Sequence, residues 1–366
     1  MNHARLTRIL KIALIIYNLI LVIMAISHLE FFRSNWPFVL FTSFIPIVII
    51  LTPIALILAY FIWRVEFFSL IFWSGLVLFP FIVFDKYVTP DGAPCAKNCI
   101  SILSANIRHD LTALDALAGT DKTKAADLII LQDVPGDISS NVLSGTYPNH
   151  GFSQIFNQTE NGETLGSVIA IISKTEIPTV SIFEVYAQRS TYAPRIFLKL
   201  SYPISSNETI ELYALHPTLP ITRDRMKFRN RMFDQLKSEL GGRQNFILVG
   251  DFNMTPWEAK FDELSGHRIG DPRWVSTWDA NRPWLRLAID HFMIGDDLRA
   301  VEGMVLPGIG SDHYPIWAVV RFGGGGETLI DALHRSAHSC SQRLLIFDPL
   351  DQILSSKMIS VFNPMD

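Results

Sequence analysis

Zinc-ligand spacing is missing from this chain. Its three cysteines, Cys95, Cys99 and Cys340, form no Cys/His cluster of the kind that holds a structural or catalytic zinc ion. Cys95 and Cys99 either close a small disulfide loop in an oxidising compartment or remain two thiols in a linker, and Cys340 has no evident partner. A basic excess is missing too. Lys and Arg number 31 against 35 Asp and Glu, a formal net charge of −4. Proteins that grip nucleic acid nonspecifically carry a surplus of cations, so that class is disfavoured. The one local concentration of positive charge is Arg223, Arg225, Lys227, Arg229 and Arg231. No internal repeat appears, which excludes a solenoid.

Hydrophobicity is present in quantity and unevenly spread. Residues 9–27, 38–63 and 67–84 are each long and apolar enough to span a bilayer. Pro46 and Pro53 fall inside the second stretch, which membrane helices tolerate, and Trp36 and Trp63 flank it as an aromatic belt would. A cleaved signal peptide explains one such stretch, not three in succession. Arg5, Arg8 and Lys11 precede the first stretch, Arg33 lies in the first loop and Arg64 in the second. That bias predicts a cytoplasmic N-terminus and, after three crossings, everything from Asp85 onward outside the cytoplasm. The expected organisation is an anchor over residues 1–87, a turn-rich linker over 88–98, a soluble domain over 99–322, and a tail over 323–366 with no assigned function.

Within the soluble part, strand-like runs lie at 100–106, 128–133, 150–156, 165–173, 179–186, 195–200, 209–215, 245–249, 287–294 and 315–322. Helical patterns lie at 111–117, where Asp110 is a plausible N-cap, at 222–240, closed by Gly241 and Gly242, and at 257–264. Two groups of strands separated by helices predict two packed sheets flanked by helices. Polar residues collect at the strand ends. Val249-Gly250-Asp251-Phe252-Asn253 puts a carboxylate and an amide two residues apart, so that on extended backbone they point the same way. Such a pair suits a hard cation and a phosphate. Ser311-Asp312-His313, about sixty residues on, adds an Asp-His pair able to transfer protons or stabilise charge. Four more strand ends carry Asn106, Asp133, His216 and Asp290.

Taken in order, these six segments resemble the endonuclease/exonuclease/phosphatase family, which includes pancreatic deoxyribonuclease, apurinic endonucleases, inositol-phosphate phosphatases and sphingomyelinases. The resemblance spans residues 99–322. It implies an α/β fold, a four-layer α/β/β/α sandwich, here preceded by three transmembrane helices, and metal-dependent phosphoester hydrolysis using Mg2+, with Mn2+ as a substitute. Asn106 and Asp133 are expected to cradle the metal, with Asp133 standing where the family has Glu, one methylene longer. Asp312 is expected on the metal or leaving-group side. Asp251 would activate the attacking water and Asn253 would donate to phosphate, while Asp290 fixes and charges the imidazole of His313. His216 is expected at the scissile phosphate, with Glu163 as a supporting residue, and His291 is read as structural.

Arg195 either reaches a phosphate or sits exposed on its strand. Arg223, Lys227 and Arg231 share one helix face and either bind a lipid headgroup or are simply solvated. Trp274, Trp278 and Trp284, with Thr277 and Pro283, resemble a bacterial membrane subgroup related to the teicoplanin-resistance membrane protein, whose catalytic domain faces outward. These tryptophans pack in the core, line a cleft or touch lipid headgroups. The expected activity is hydrolysis of a phosphoester or pyrophosphate in a lipid-linked substrate, with the bilayer as partner. The competing expectations are a membrane-anchored nuclease and a non-catalytic module with a decayed site.

Overall fold

A long apolar segment must satisfy its own backbone, and the N-terminal part of this chain does so with helices. The computed structural model describes residues 3–323 except 30, 31, 33, 96, 97, 177, 178, 189–191, 204–208 and 286. The tail expected over 323–366, with Cys340, lies outside the described residues apart from Gly323. The helices Ala4–Ser27, Ile45–Ile62 and Arg64–Val83 are long and apolar enough to cross a membrane. The expected second stretch is divided: a short helix, Phe38–Ser43, ends at Phe44 and a new helix starts there, with Pro46 in the first turn where its missing N–H leaves no bond unmade. Several polar groups among these helices are paired. Tyr17 Oη lies 2.8 Å from Thr52 Oγ1, and Asn18 Nδ2 donates to Glu66 Oε2 at 2.6 Å and Ser69 Oγ at 2.7 Å. Ile57, Phe61, Phe68 and Phe79 remain exposed on the outside.

Strands β1 to β13, numbered in chain order, form two sheets. The seven-stranded sheet runs β1 (Tyr87–Val88), β10 (His267–Ile269), β11 (Asp290–Ile294), β9 (Phe246–Asp251), β8 (Thr209–Leu215), β7 (Arg195–Pro203) and β6 (Val180–Val185). The six-stranded sheet runs β12 (Leu298–Val305), β13 (Ile316–Phe322), β2 (Cys99–Asn106), β3 (Leu128–Gln132), β5 (Thr164–Ser173) and β4 (Phe152–Gln158). Alternating side chains divide between two faces. Ile100, Ile102, Leu128 and Ile130 meet Leu198, Leu212, Ile247 and Val249 between the sheets. Leu103, Ala105, Ile129 and Leu131 turn outward onto Leu114, Leu117 and Leu143, and Tyr213, Leu215 and Leu248 turn the other way onto Phe233 and Leu236. The result is the helix–sheet–sheet–helix sandwich.

Two parallel pairs set up the working end. β2 pairs with β3, and the chain between them includes the helix Leu111–Ala118; β8 pairs with β9 across the helix Arg223–Leu240. A crossover returns the chain in the same direction, so the C-terminal ends of such pairs lie side by side. Asn106, Asp133, His216 and Asp251 therefore gather at one end. Asp110 and Thr222 cap their helices by accepting from Thr112 N and Arg225 N, and Gly241, at φ 52°, closes the second.

The sandwich also contains elements that periodicity did not reveal. β1 straddles the expected boundary between anchor and linker, and it and β10 are two and three residues long, too short to show a pattern. β12 carries Arg299, Glu302 and Gly303 among its apolar residues. Gly303 is required there, because a Cβ would stand 2.3 Å from Ile269 Cγ2. Cys95 and Cys99 are disulfide-bonded, with Cα atoms 6.3 Å apart.

His291 stands on the opposite face of β11 from Asp290, fully buried between Phe252 and Phe261. Its Nδ1 accepts from Arg268 Nε at 2.9 Å and its Nε2 donates to Met254 O at 2.8 Å. Burial, followed by the Arg268 charge, pushes the imidazole down to about 3. An unfolded chain binds this proton below about pH 6.5 and the folded chain refuses it, so stability is lost as pH falls from about 6.5 toward 3. Thermal unfolding in detergent should show the stability advantage over His291→Gln shrinking by about 1.4 kcal/mol per pH unit across that window; a constant difference would refute the assignment.

Candidate active site

Asp251 is the hub of a buried polar cluster at the end of β9. Its Oδ2 accepts from Asn106 Nδ2 at 3.1 Å and lies 3.4 Å from His216 Nε2 and 3.8 Å from His313 Nε2. Its Oδ1 accepts from Asn253 N at 2.8 Å. Burial pushes this carboxyl up, but His313, His216 and the Asn253 N–H outweigh it and leave it below the usual carboxylate range. Gly250 permits the approach of β9 to β8: at φ 134° its absent Cβ would stand 2.1 Å from Leu215 O.

His313 Nδ1 lies 3.0 Å from Asp290 Oδ2 and 3.2 Å from Oδ1. Burial disfavours the imidazolium, yet Asp290 and Asp251 carry His313 well above its ordinary value. Asp290 is itself raised, by burial first, with His313 opposing and Asp251 reinforcing. Thr277 Oγ1 holds the start of β11 by accepting from Ile289 N and Asp290 N. Ser311 Oγ donates to Asn106 O at 2.7 Å and accepts from His313 N at 3.1 Å, tying the second motif to the end of β2.

His216 is held differently from expectation. Its Nδ1 meets Ser167 Oγ and lies 3.4 Å from Asp133 Oδ1, and Ser167 Oγ donates to Asp133 at 3.0 Å. Ser167, on β5, fills the supporting role assigned to Glu163, whose backbone N–H instead donates to Thr159 Oγ1. Asp133 is also pushed up by burial, and His216, Arg195 and Ser167 together bring it below the usual range. Arg195 belongs to this side of the cluster. It is largely buried, its charge is depressed by desolvation and supported by Asp133 and Asp251, and its Nη1 has no partner among the described residues. It is therefore not an exposed strand arginine.

The extended geometry expected for Asp251 and Asn253 is not what forms. Asn253 has φ 48°, in the left-handed region that Asn tolerates, and its Nδ2 returns to Pro217 O at 3.0 Å and to Asp251 Oδ2 at 3.5 Å. Asp133 shares that conformation, with φ 48°. Asp312 points its Oδ2 at Trp278 Nε1, 3.2 Å away, and at Arg108 Nη1, 3.4 Å away, while its Oδ1 is buried with no partner among the described residues. Arg223, Lys227 and Arg231 are not brought into the cluster: the first two are exposed and the third lies over the Phe228 ring. Arg229 was read with them and behaves otherwise. It is buried, paired with Glu258 Oε2 at 2.7 Å, and donates to Asn253 O at 2.7 Å, fixing the loop after β9. Its position on the stripe Met226, Arg229, Phe233, Leu236, Leu240 was the signal available in the sequence.

The cluster suits a cation and a phosphate. One oxygen each from Asp251 and Asp290 and a ring nitrogen of His313 lie within 4.8 Å of one another. Asn106, at the end of β2, and Asp133, following β3, occupy neighbouring strand ends, and Asp312 Oδ1 is an unused buried acceptor. Oxygen donors of this kind fit a hard divalent ion, and the unpartnered Arg195 Nη1 fits an anion.

Residues 103–313 match the Endonuclease/Exonuclease/phosphatase family. The chain belongs to that family. Endonuclease/exonuclease/phosphatase proteins are phosphoester hydrolases and generally depend on a divalent metal. Among solved structures, the family member from Beutenbergia cavernae is similar at 16% identity and TM-score 0.51, over 62% of this chain and 72% of that one. One from Bacteroides thetaiotaomicron matches at 15% identity and TM-score 0.48, over 61% and 98%. Truncated TDP2 from Caenorhabditis elegans matches at 19% identity and TM-score 0.40, over 61% and 98%. No curated protein matches the chain.

Arg229→Met should strand the Glu258 carboxylate in the interior and cost about 3–5 kcal/mol, read as a lowered unfolding midpoint. The double variant Arg229→Met/Glu258→Met should recover most of that loss. Equal destabilisation of single and double variants would show that the pair does not act as a unit.

Proposed function

We propose that this chain is a membrane-anchored, magnesium-dependent phosphoesterase acting on a lipid-linked phosphoester or pyrophosphate outside the cytoplasm. The observation that carries the hydrolase reading is the buried Asp251 carboxylate shared by Asn106, His216 and His313, with Asp290 behind His313. The ion is assigned to Asn106 and Asp133, with Asp312 as a further donor, and Mn2+ can substitute. When bound it would neutralise phosphate charge. Asp251 orients and polarises the attacking water. Asn253 and Arg195 hold non-bridging phosphate oxygens. As the new O–P bond forms and the ester P–O bond breaks, Asp251 takes the proton that the water loses, the charged His313 imidazole, oriented by Asp290, stabilises the developing negative charge, and the leaving oxygen takes up a proton from solvent. His216, braced by Ser167 and Asp133, faces the phosphate.

Three membrane-length helices support the anchoring, and tethering raises the effective concentration of bilayer-resident substrates. The mildly acidic balance of the chain favours a lipid over nucleic acid. Arg5, Arg8 and Lys11 at the start support a cytoplasmic N-terminus.

Purified full-length protein in detergent should hydrolyse a polyprenyl-pyrophosphate lipid with Mg2+ and stop with chelator. His313→Ala should lower kcat by about 10²–10⁴-fold, and Asp251→Ala should abolish turnover. Cleavage of plasmid DNA in place of the lipid, lost in His313→Ala, would replace the lipid reading with a nuclease. A reporter fused after Phe322 should be active only if it folds outside the cytoplasm; activity of a cytoplasm-only reporter would reverse the topology.

A further inference from the structure

The apolar helices do not simply precede the catalytic sandwich; they are seated on the loops that carry its carboxylates. Ser43 Oγ, just before the helix Ile45–Ile62, lies 3.4 Å from Glu258 Oε1 and 3.4 Å from Thr255 Oγ1, in the loop directly following Asp251. The Trp257 ring of that loop packs on Phe81 at 4.8 Å and Phe84 at 5.3 Å, where the helix Arg64–Val83 ends. Arg273 Nη1 donates to Ile82 O at 3.4 Å, and the turn Pro283–Leu285 lies against the helix Ile45–Ile62. Both of those contacts belong to the segment leading into Asp290. β9 and β11 are antiparallel with Asp251 opposite Asp290, so these loops cover one and the same end of the sandwich, the catalytic end.

That end exposes an unusual mixture. Leu219 and Ile221 are 47% and 51% exposed, in the loop from His216 to the helix Arg223–Leu240. Trp284 is 59% exposed in the turn beside the helix Ile45–Ile62. Arg108 and Arg282 stand out among them, with side chains 66% and 63% exposed, each with one carboxylate near it, Asp312 and Asp279. Aromatic and aliphatic tips interleaved with cations are the chemistry of a protein surface at headgroup depth.

We infer that the mouth of the active site opens onto the bilayer, with Leu219, Ile221 and Trp284 seated in the headgroup layer and Arg108 and Arg282 facing anionic lipid phosphates. The inference rests on the lipid phosphoesterase reading for its substrate and on the contacts above for its geometry. The surface is continuous with helices of membrane length, which names its occupant: the outer part of the same leaflet those helices enter. The phosphate of a membrane-resident substrate then reaches Asp251 and Arg195 by sliding sideways, with its apolar tail still in the bilayer.

The test uses the full chain in vesicles of phosphatidylethanolamine and phosphatidylglycerol. Brominated lipids should quench more tryptophan emission in the wild type than in Trp284→Phe; identical quenching in both would overturn the geometry whether or not the protein is active. In parallel, the variant Leu219→Ser/Ile221→Ser/Trp284→Ser is offered a bilayer-resident pyrophosphate lipid and a water-soluble aryl phosphodiester. Loss of at least about tenfold in lipid kcat/KM, with the soluble substrate turned over as before, is the expected result. Unchanged lipid turnover, or equal loss on both substrates, overturns the role of the rim. If the wild type hydrolyses neither substrate, the phosphoesterase reading fails by itself and the quenching still decides which way the mouth faces.

Discussion

A carboxylate buried between two sheets has to be surrounded by donors, and Asp251 sets that requirement for the whole sandwich. Its partners arrive from both layers: Asn106 ends a strand of one sheet and His216 follows a strand of the other, while His313 comes from the loop ahead of β13. The cluster can assemble only if the two sheets stack in one relative position, which the interlayer core of Ile102, Ile130, Leu212 and Val249 enforces. Core packing and chemistry are thus one constraint seen at two distances.

Excess negative charge follows from this design. Asp133, Asp251, Asp290 and Asp312 collect at one end of the sandwich, and Asp290 is driven upward, by its burial first and by Asp251 after it. A scaffold optimised for stability alone would not bury so many acids beside one another. Their surroundings are fixed locally by Ser167, which donates to Asp133, by Thr277 at the backbone of Asp290, by Ser311 at the backbone of His313, and by the Arg229–Glu258 pair behind the loop after β9.

The parts of this arrangement that were legible in the sequence are those written in short-range pattern. The strand-end positions of Asn106, Asp133, His216 and Asp251 follow from apolar runs that terminate in polar residues, Asp290 opens the run of β11, and the apolar helices follow from length and hydropathy. The rest depends on contacts between distant segments. Ser167 is an unremarked serine in a strand until β5 is laid beside β3. Arg229 hides in a run of exposed cations although its helical phase puts it inside. The left-handed turn at Asn253 is held by Pro217 and Arg229 from distant segments as well as by Asp251 two residues before it. β1 and β10 are visible only through their pairing, β10 with β11 and β1 with β10.

The seating of Trp257 against Phe81 and Phe84 bears on how the catalytic portion can be handled in isolation. A fragment begun within residues 88–98 would lack β1, leaving β10 as an open sheet edge, and would present Trp257 bare to water. A fragment begun at Phe84 keeps the edge strand, the ring beside Trp257 and Phe261, and the grip of Lys86 on the carbonyls of Phe261 and Asp262. The natural seam for severing the two halves therefore lies directly after the final apolar helix, at Phe84, ahead of the turn-rich segment 88–98.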